Sequence, residues 1–336
     1  MAKTAVLLIN LGSPDKPTVP AVYRYLTQFL NDPRVIDIPA LGRWILVNLI
    51  IVPIRCFAST KIYKKLWTEE GSPLIVYGHR VKEQLQAKLG EDADVYLAMR
   101  YQNPSIASQI KEMEKHLYTK IVVIPLFPHY ASASTGSAVQ KAMEEIAKMY
   151  VIPQVEVMDD YYDLPELIEI QAENAQKLDP ASFDHIIMSY HGLPMRQLDK
   201  VYPEGLCDHH DCEHGVAGAN RYCYKAQCYT TTHLIAEKLG LQEGQYSVGF
   251  QSRLGKGWVT PFTDKLIEER AEKGDKRLLV FSPAFVADCL ETTIEIGDEY
   301  QEDFEKLGGE KVQLVPSLND DPRWVAALER MVRERL

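Results

Sequence analysis

Apolar residues along this chain come in two textures. Short runs rich in Val, Ile, Leu and Phe alternate with longer stretches in which apolar positions recur every three or four residues. The runs AVLLINLG, ADVYLAMRY, KIVVIPLFP, VEVMDDY, HIIMSYHG, YSVGFQSR, RLLVFSPAF and VQLVPSLN predict strands. PTVPAVYRYLTQFLND, SIASQIKEMEKHL, SASTGSAVQKAMEEIAKMY and YTTTHLIAEKLGL predict helices between them. Near-continuous apolar strands separated by helices belong to parallel sheets covered on both faces. The alternation occurs in both halves, and 336 residues are more than one core normally holds. The expected fold is therefore α/β, with two Rossmann-like domains, 1–152 and 153–336, linked at Pro153.

Composition changes this picture little. A hydrophobic content of 46% and a charged content of 25% are those of a folded globular chain. A net charge of −10, with no dense Lys/Arg run, argues against a nucleic-acid partner. The opening MAKTAVLLINLGSPD has an apolar run too short for an export signal, which ends at Gly12-Ser13-Pro14 and reads as the first strand. A reducing, cytoplasmic compartment is then expected. Residues 43–57, RWILVNLIIVPIRCF, are interrupted by Asn48, Pro53 and Arg55 and fall short of the ~20 apolar residues a spanning helix needs. They predict a buried or amphipathic helix, or an apolar lip that touches a bilayer or a greasy ligand.

Ligands of open parallel sheets bind beyond the carboxyl ends of the strands. There SYHGLPMR places His191, an imidazole able to act as a base near neutral pH. The segment DCLETTIEIGDEYQEDF, residues 288–304, predicts a helix whose apolar stripe is Cys289, Thr293, Ile296, Tyr300, Phe304 and Leu307 at 100° per residue. Glu291, Glu295, Asp298 and Glu299 fall on its other side without Lys or Arg partners. Such a row suits a solvated face, or a path for hard cations and protons. FPHYASASTG, residues 127–136, suits a helix cap or an anion site, with Arg100, Tyr101 and Arg253 as matching contacts. Cys207, Cys212, Cys223 and Cys228 are spaced C-x4-C-x10-C-x4-C, which in a reducing compartment reads as a metal site. Zinc pairs usually have shorter gaps, whereas iron–sulfur clusters tolerate four-residue ones. His209, His210 and His214 lie in the same run.

In order along the chain, LLINLGSPD, RYLTQFLNDPRVID, EEGSPL, RYQNPS, PLFPHYASASTGS, SYHGLPMR, FQSRLGKGWVTPFTD and PAFVADCLETTIEIGDEY resemble the ferrochelatases. That resemblance implies two similar lobes, a porphyrin bound in the cleft between them, and insertion of ferrous iron to form haem. His191 and Glu291 match the family's active-site histidine and glutamate, and Glu295 and Glu299 match its acidic row for the substrate iron, on a helix with a π-bulged turn. Arg100, Tyr101, Tyr130, Ser132, Ser134, Thr135 and Trp258 match porphyrin-binding positions, and residues 43–57 match a membrane-touching lip, implying peripheral contact at the inner membrane face. The resemblance also implies that the last helix packs back on the N-terminal lobe, and that Cys207, Cys212, Cys223 and Cys228 carry a [2Fe–2S] cluster, with zinc as the alternative. Cys289 departs from the histidine many members have two places before the glutamate, and the QSRLGKGW loop is one residue shorter than the usual bacterial form.

Two other functions fit the same residues. One is a related tetrapyrrole chelatase acting on coproporphyrin or with another divalent metal. The other is a two-lobed protein that binds metal or haem without chemistry. The sequence does not determine an oligomeric state.

Overall fold

The computed structural model describes residues 3–253, 255 and 257–336; Leu254 and Lys256, both in the QSRLGKGW loop, lie outside the described residues. All eight expected strands form: β1 Lys3–Asn10, β2 Ala93–Met99, β3 Tyr118–Pro125, β4 Gln154–Val157, β5 His185–His191, β6 Tyr246–Gln251, β7 Arg277–Phe281 and β8 Lys311–Leu314. They make two four-stranded parallel sheets, ordered β2-β1-β3-β4 and β6-β5-β7-β8. The same order in both means that each sheet reverses direction between its two central strands, where a crevice opens at the carboxyl ends.

The central strands are apolar on both faces because helices cover both. Ala5, Leu7 and Ile9 of β1 and Ile121 and Val123 of β3 meet Ile106, Ile110, Met113, Ala138, Ala142 and Ile146, the apolar faces of the helices Ile106–Met113 and Ser137–Ile146. In the second sheet Ile187, Leu278 and Val280 pack against Ile267, Ile296 and Phe304.

The chain divides into two compact units, the first comprising 1–127, 132–159 and 320–336, the second 128–131 and 160–319. The division thus falls after Asp159 rather than at 152/153. The reason is β4, which pairs with β3 in the register Lys120↔Gln154 and so completes the first sheet. The C-terminal helix Pro322–Arg333, capped by Asp321, also belongs to the first unit. Ion pairs tie it there, Glu329 to Lys88 at 3.5 Å and Arg333 to Asp92 at 2.8 Å.

Helical structure runs without a break from Ala40 to Leu66, 27 residues, long and apolar enough by length and composition to cross a membrane. This is longer than the 43–57 stretch suggested, because Pro53 does not end it. The preceding turn, Leu46–Ile51, is π-helical and Pro53 occupies the first turn of the segment Val52–Leu66, where a missing N–H is tolerated. Val47, Val52 and Cys56 are buried, whereas Leu41, Trp44, Leu49, Ile50, Ile54 and Phe57 are exposed. Asn48 does not break the apolar face: its amide donates to the Trp44 carbonyl at 2.8 Å and to Asn31 at 3.1 Å.

The loop 128–131 carries His129, buried among Tyr162, Tyr190 and Tyr224, with Nε2 2.8 Å from Thr231 Oγ1. Burial pushes its pKa down to about 3. The unfolded chain then takes up a proton near pH 6.5 that the folded chain refuses, so this group's share of stability is complete above 6.5 and is lost as pH falls toward 3. Urea unfolding is expected to show a pH slope in that window that is smaller in His129→Gln, by about 1.4 kcal/mol per pH unit at most.

Candidate active site

His191 and the acidic helix both belong to the second unit, whose strand order reverses between β5 and β7. His191 is the last residue of β5 and half-buried. Its Nδ1 lies 2.7 Å from the Gly192 carbonyl oxygen. A carbonyl only accepts, so this bond places the proton on Nδ1 and leaves the lone pair on Nε2. Gly192 is required here: a Cβ at this position would stand 2.8 Å from the Gln251 carbonyl oxygen and 3.3 Å from the Trp258 ring. Trp258, held by a bridge to Pro194, therefore packs directly over the His191 exit.

The acidic helix follows β7. Leu290–Glu299 is π-helical throughout, with Cys289 as its N-cap. Its i→i+5 bonds widen each turn, so the inward residues are Thr292, Ile294 and Ile296, and Thr293, expected in the apolar stripe, is exposed. Burial first, and the neighbouring Glu291 charge after it, push the Cys289 thiol pKa up. Glu295 is fastened by Ser252, whose N–H and hydroxyl donate to its two oxygens at 3.0 and 2.5 Å, and by the Tyr300 hydroxyl at 3.2 Å. Burial outweighs these donors and raises the Glu295 pKa, with the nearby His191 pulling it back and Glu291 pushing it further up. Asp298 and Glu299 are exposed. The four carboxylates are thus not one solvated face: Glu295 is held at the β6 exit by Ser252, Glu291 is half-buried, and Asp298 and Glu299 reach the surface.

Two residues that sequence reasoning passed over organise this site. Gln251, at the end of β6, donates to the Glu291 carbonyl oxygen at 2.9 Å and accepts from Ser189 of β5 at 2.5 Å. Ser252 stands at φ 62°, a left-handed conformation that turns its N–H and hydroxyl together onto Glu295. The pair was legible only as a polar QS after a strand, because the backbone twist that aims it is set by packing. Arg253 is engaged by Asp264 at 2.5 Å and lies over the Phe262 ring.

In the first unit, Arg100 and Tyr101 converge on a carboxylate absent from the expected site. Asp32 Oδ2 accepts from Arg100 Nη2 at 2.5 Å, the Tyr101 hydroxyl at 2.9 Å and the Ser137 hydroxyl at 2.5 Å. Tyr101 is wholly buried, so its hydroxyl faces Asp32 rather than a ligand. Gly12, at φ 106°, lets the Tyr101 backbone come close: a Cβ there would lie 2.0 Å from the Tyr101 carbonyl oxygen. Ser132–Gly136 is a π-turn, with Ser132 accepting from Arg34 at 2.8 Å, Ser134 half-buried and Thr135 buried with its hydroxyl unpartnered among the described residues. Tyr130 is not grouped with them; it belongs to the second unit, where its N–H donates to Gln227.

The cysteine run forms a third centre. The Sγ atoms of Cys207, Cys212 and Cys223 lie 3.6–3.9 Å apart and all three residues are buried. Cys207 and Cys212 donate to Cys223, which pushes its pKa down to about 3, and the Tyr202 hydroxyl bonds Cys212 at 3.1 Å. Cys228 is not in this group. It lies five residues beyond Cys223 in the helix Tyr224–Leu239, about 140° around the axis, and is buried beside Tyr224. Neither His210, stacked on Tyr202, nor His214, paired with Asp211, joins the thiols.

The ferrochelatase family model matches residues 3–336. The chain belongs to the ferrochelatase family. Relatives named ferrochelatase include one from Coxiella burnetii (strain Dugway 5J108-111), 44% identical over 99% of this chain and 94% of that protein. Another, from Legionella pneumophila (strain Paris), is 41% identical over 99% of this chain and all of that protein. Among solved structures, SirB from Bacillus subtilis with Fe3+ superposes with a TM-score of 0.56 at 12% identity, covering 99% of this chain and 95% of that one. The sirohydrochlorin chelatase SirB from Bacillus subtilis subspecies spizizenii in complex with cobalt gives the same TM-score at 11% identity. These two establish the chelatase-type fold. As a ferrochelatase the chain is a lyase of haem biosynthesis that inserts Fe(II) into a porphyrin.

Proposed function

We propose that this ferrochelatase metallates protoporphyrin IX, with His191 Nε2 as the base for the pyrrole protons and Glu291, Glu295 and Glu299 as a carboxylate path for iron or protons. A free porphyrin carries two pyrrole N–H protons that the metal must displace. The observation that carries the assignment is the His191 Nδ1 to Gly192 carbonyl bond, which in the neutral ring puts the lone pair on Nε2 at the strand exit. Glu295, held by fixed donors, supplies an oriented carboxylate beside it. Arg100, Ser132 and Ser134 of the first unit and Tyr130 and Trp258 of the second are the polar and aromatic groups we assign to the macrocycle, while Tyr101 and Thr135 are buried within the first unit. Zinc insertion followed by absorbance, with protoporphyrin and coproporphyrin in parallel, tests the substrate. A higher kcat/KM for protoporphyrin supports the reading, and a preference for coproporphyrin replaces it.

We also propose a resident [2Fe–2S] cluster on Cys207, Cys212, Cys223 and Cys228. Three of the four donors support it: Cys207, Cys212 and Cys223 are soft, buried thiols with Tyr202 and Asn220 directed at Cys212 sulfur, whereas Cys228 lies outside that group. Such a cluster supplies one-electron redox chemistry, which metal insertion does not use, and folding energy. One observation favours zinc as the second reading. A tetrahedral metal with ~2.3 Å bonds to sulfur spaces its ligands by about 3.8 Å, the separation of the three close thiols. Iron, sulfide and zinc counts on the purified protein, with its visible spectrum, decide between them.

The exposed apolar face of Ala40–Leu66 we assign to peripheral contact with the inner membrane face of a cytoplasmic protein. The Leu49→Glu/Ile54→Glu variant is expected to lose at least about tenfold in affinity for lipid vesicles by co-sedimentation, each charge removing one buried aliphatic chain. Unchanged sedimentation would remove the membrane assignment.

A further inference from the structure

The segment that carries the cysteines also carries an aromatic side chain for which the thiol centre has no use. Tyr222, the residue before Cys223, is exposed. Its ring meets the half-buried ring of Tyr130 edge to face, with centroids 5.4 Å apart and planes at 65°. Tyr130 comes from the loop 128–131, far away in sequence, and both residues belong to the second unit.

The backbone on either side of this contact is tied down. Gln227, wholly buried, accepts from the Tyr130 N–H at 2.6 Å and donates to the Arg221 carbonyl at 3.0 Å and to Asp160 Oδ2 at 3.2 Å. One buried amide, with its carbonyl and both hydrogens engaged, thus joins the Tyr130 loop to the residue before Tyr222. The Arg221 guanidinium makes a two-pronged bond to the same buried Asp160 carboxylate, at 2.7 and 2.9 Å. On the other flank the Cys223 N–H donates to the Asn220 carbonyl at 2.8 Å. The Asn220 side chain closes the preceding loop, accepting from the Ala217 N–H at 2.6 Å and donating to the Gly215 carbonyl at 2.9 Å. Tyr222 is therefore pinned from both sides while its ring stands in water.

An exposed ring gains little from burial, so core packing does not account for holding it this firmly. Two aromatic rings set side by side in advance suit a flat aromatic ligand that covers both. The porphyrin of the ferrochelatase reaction is such a ligand, and Tyr130 is already assigned to it. We propose that Tyr222 is a further porphyrin-binding residue, through which the cysteine segment contributes directly to the substrate site. The proposal rests on the assignment of Tyr130 to the macrocycle. Tyr222 extends that contact by one ring, and Gln227 and Asp160 fix the spacing of the two. Arg221, engaged by Asp160, places Tyr222.

Tyr222→Ala is expected to raise the protoporphyrin Kd, read by quenching of tryptophan fluorescence, about fivefold, as for the loss of one aromatic pair. KM should rise in step while kcat stays within about twofold, since the ring binds the macrocycle and takes no part in the chemistry. Tyr222→Phe keeps the ring and should bind like wild type. Tyr130→Ala should weaken binding in the same way, and the double variant should lose less than the product of the two, because the rings touch. In the wild type, acetylation of the Tyr222 phenol by N-acetylimidazole, followed by mass spectrometry, should slow when protoporphyrin is added, with the exposed Tyr150 of the first unit as internal control. A wild-type Kd in Tyr222→Ala alongside a weakened Tyr130→Ala overturns the proposal and leaves the Tyr130 assignment standing. Wild-type Kd in both variants removes the assignment and the proposal together. Equal losses in Tyr222→Phe and Tyr222→Ala also overturn it, as does acetylation indifferent to protoporphyrin, which needs no substitution to observe.

Discussion

His191→Ala is expected to lower kcat for zinc insertion into protoporphyrin by 10²- to about 10⁴-fold, the range in which a positioned acid–base group contributes, while the porphyrin KM stays within a few-fold. The structural basis is specific. The Gly192 carbonyl bond makes Nε2 the basic atom, and Gly192 itself admits no side chain between His191, Gln251 and Trp258. Added imidazole should restore part of the rate in the alanine variant, because the cavity left behind is the size of the lost ring. Glu291→Gln should behave similarly but without imidazole rescue. Wild-type turnover in His191→Ala would transfer the base role to another group, Glu295 first, since its carboxyl is partly withdrawn from water and holds a proton more tightly than an exposed one.

Cys223→Ala carries the second large effect, on stability. Cys223 accepts from Cys207 and Cys212 and caps the helix that runs under β5. Thiolate–metal bonds formed only in the folded state contribute directly to folding energy. The variant is expected to lose the bound metal and at least ~4 kcal/mol, seen as a fall of about 10 °C in Tm by scanning calorimetry or as insoluble expression. Cys289→Ala is the control. That thiol is also buried but caps the acidic helix outside the thiol group, so its loss should leave metal content and spectrum unchanged. Equal melting of Cys223→Ala and wild type would mean that the thiol centre holds no structural metal.

The strands were legible because a covered parallel strand announces itself locally, as a run of apolar residues bounded by turn formers. The same local logic put His191 at a ligand-facing strand end. Other parts of the site depended on residues far apart in sequence. Asp32, at the end of the predicted helix PTVPAVYRYLTQFLND, carried no signal of its own, yet three donors from Arg100, Tyr101 and Ser137 converge on it. Tyr101, matched to a porphyrin pocket, turned out to spend its hydroxyl there. The stripe drawn at 100° per residue misplaced Thr293, because a π-helix has a different angular step and sequence periodicity alone does not distinguish the two.

The sequence by itself determined the order of strands and helices, the repeated α/β plan, the position of His191 and the acidic row after it, and the family. Each follows from neighbours along the chain or from motifs read in order. Tertiary structure alone decided that β4 completes the first sheet, because strand pairing is chosen by burial among distant segments. It likewise decided that three cysteines meet while Cys228, within the helix Tyr224–Leu239, stands apart from them. Even spacing along a chain does not fix convergence in space: once Cys223 begins a helix, the helical rotation carries Cys228 to another side.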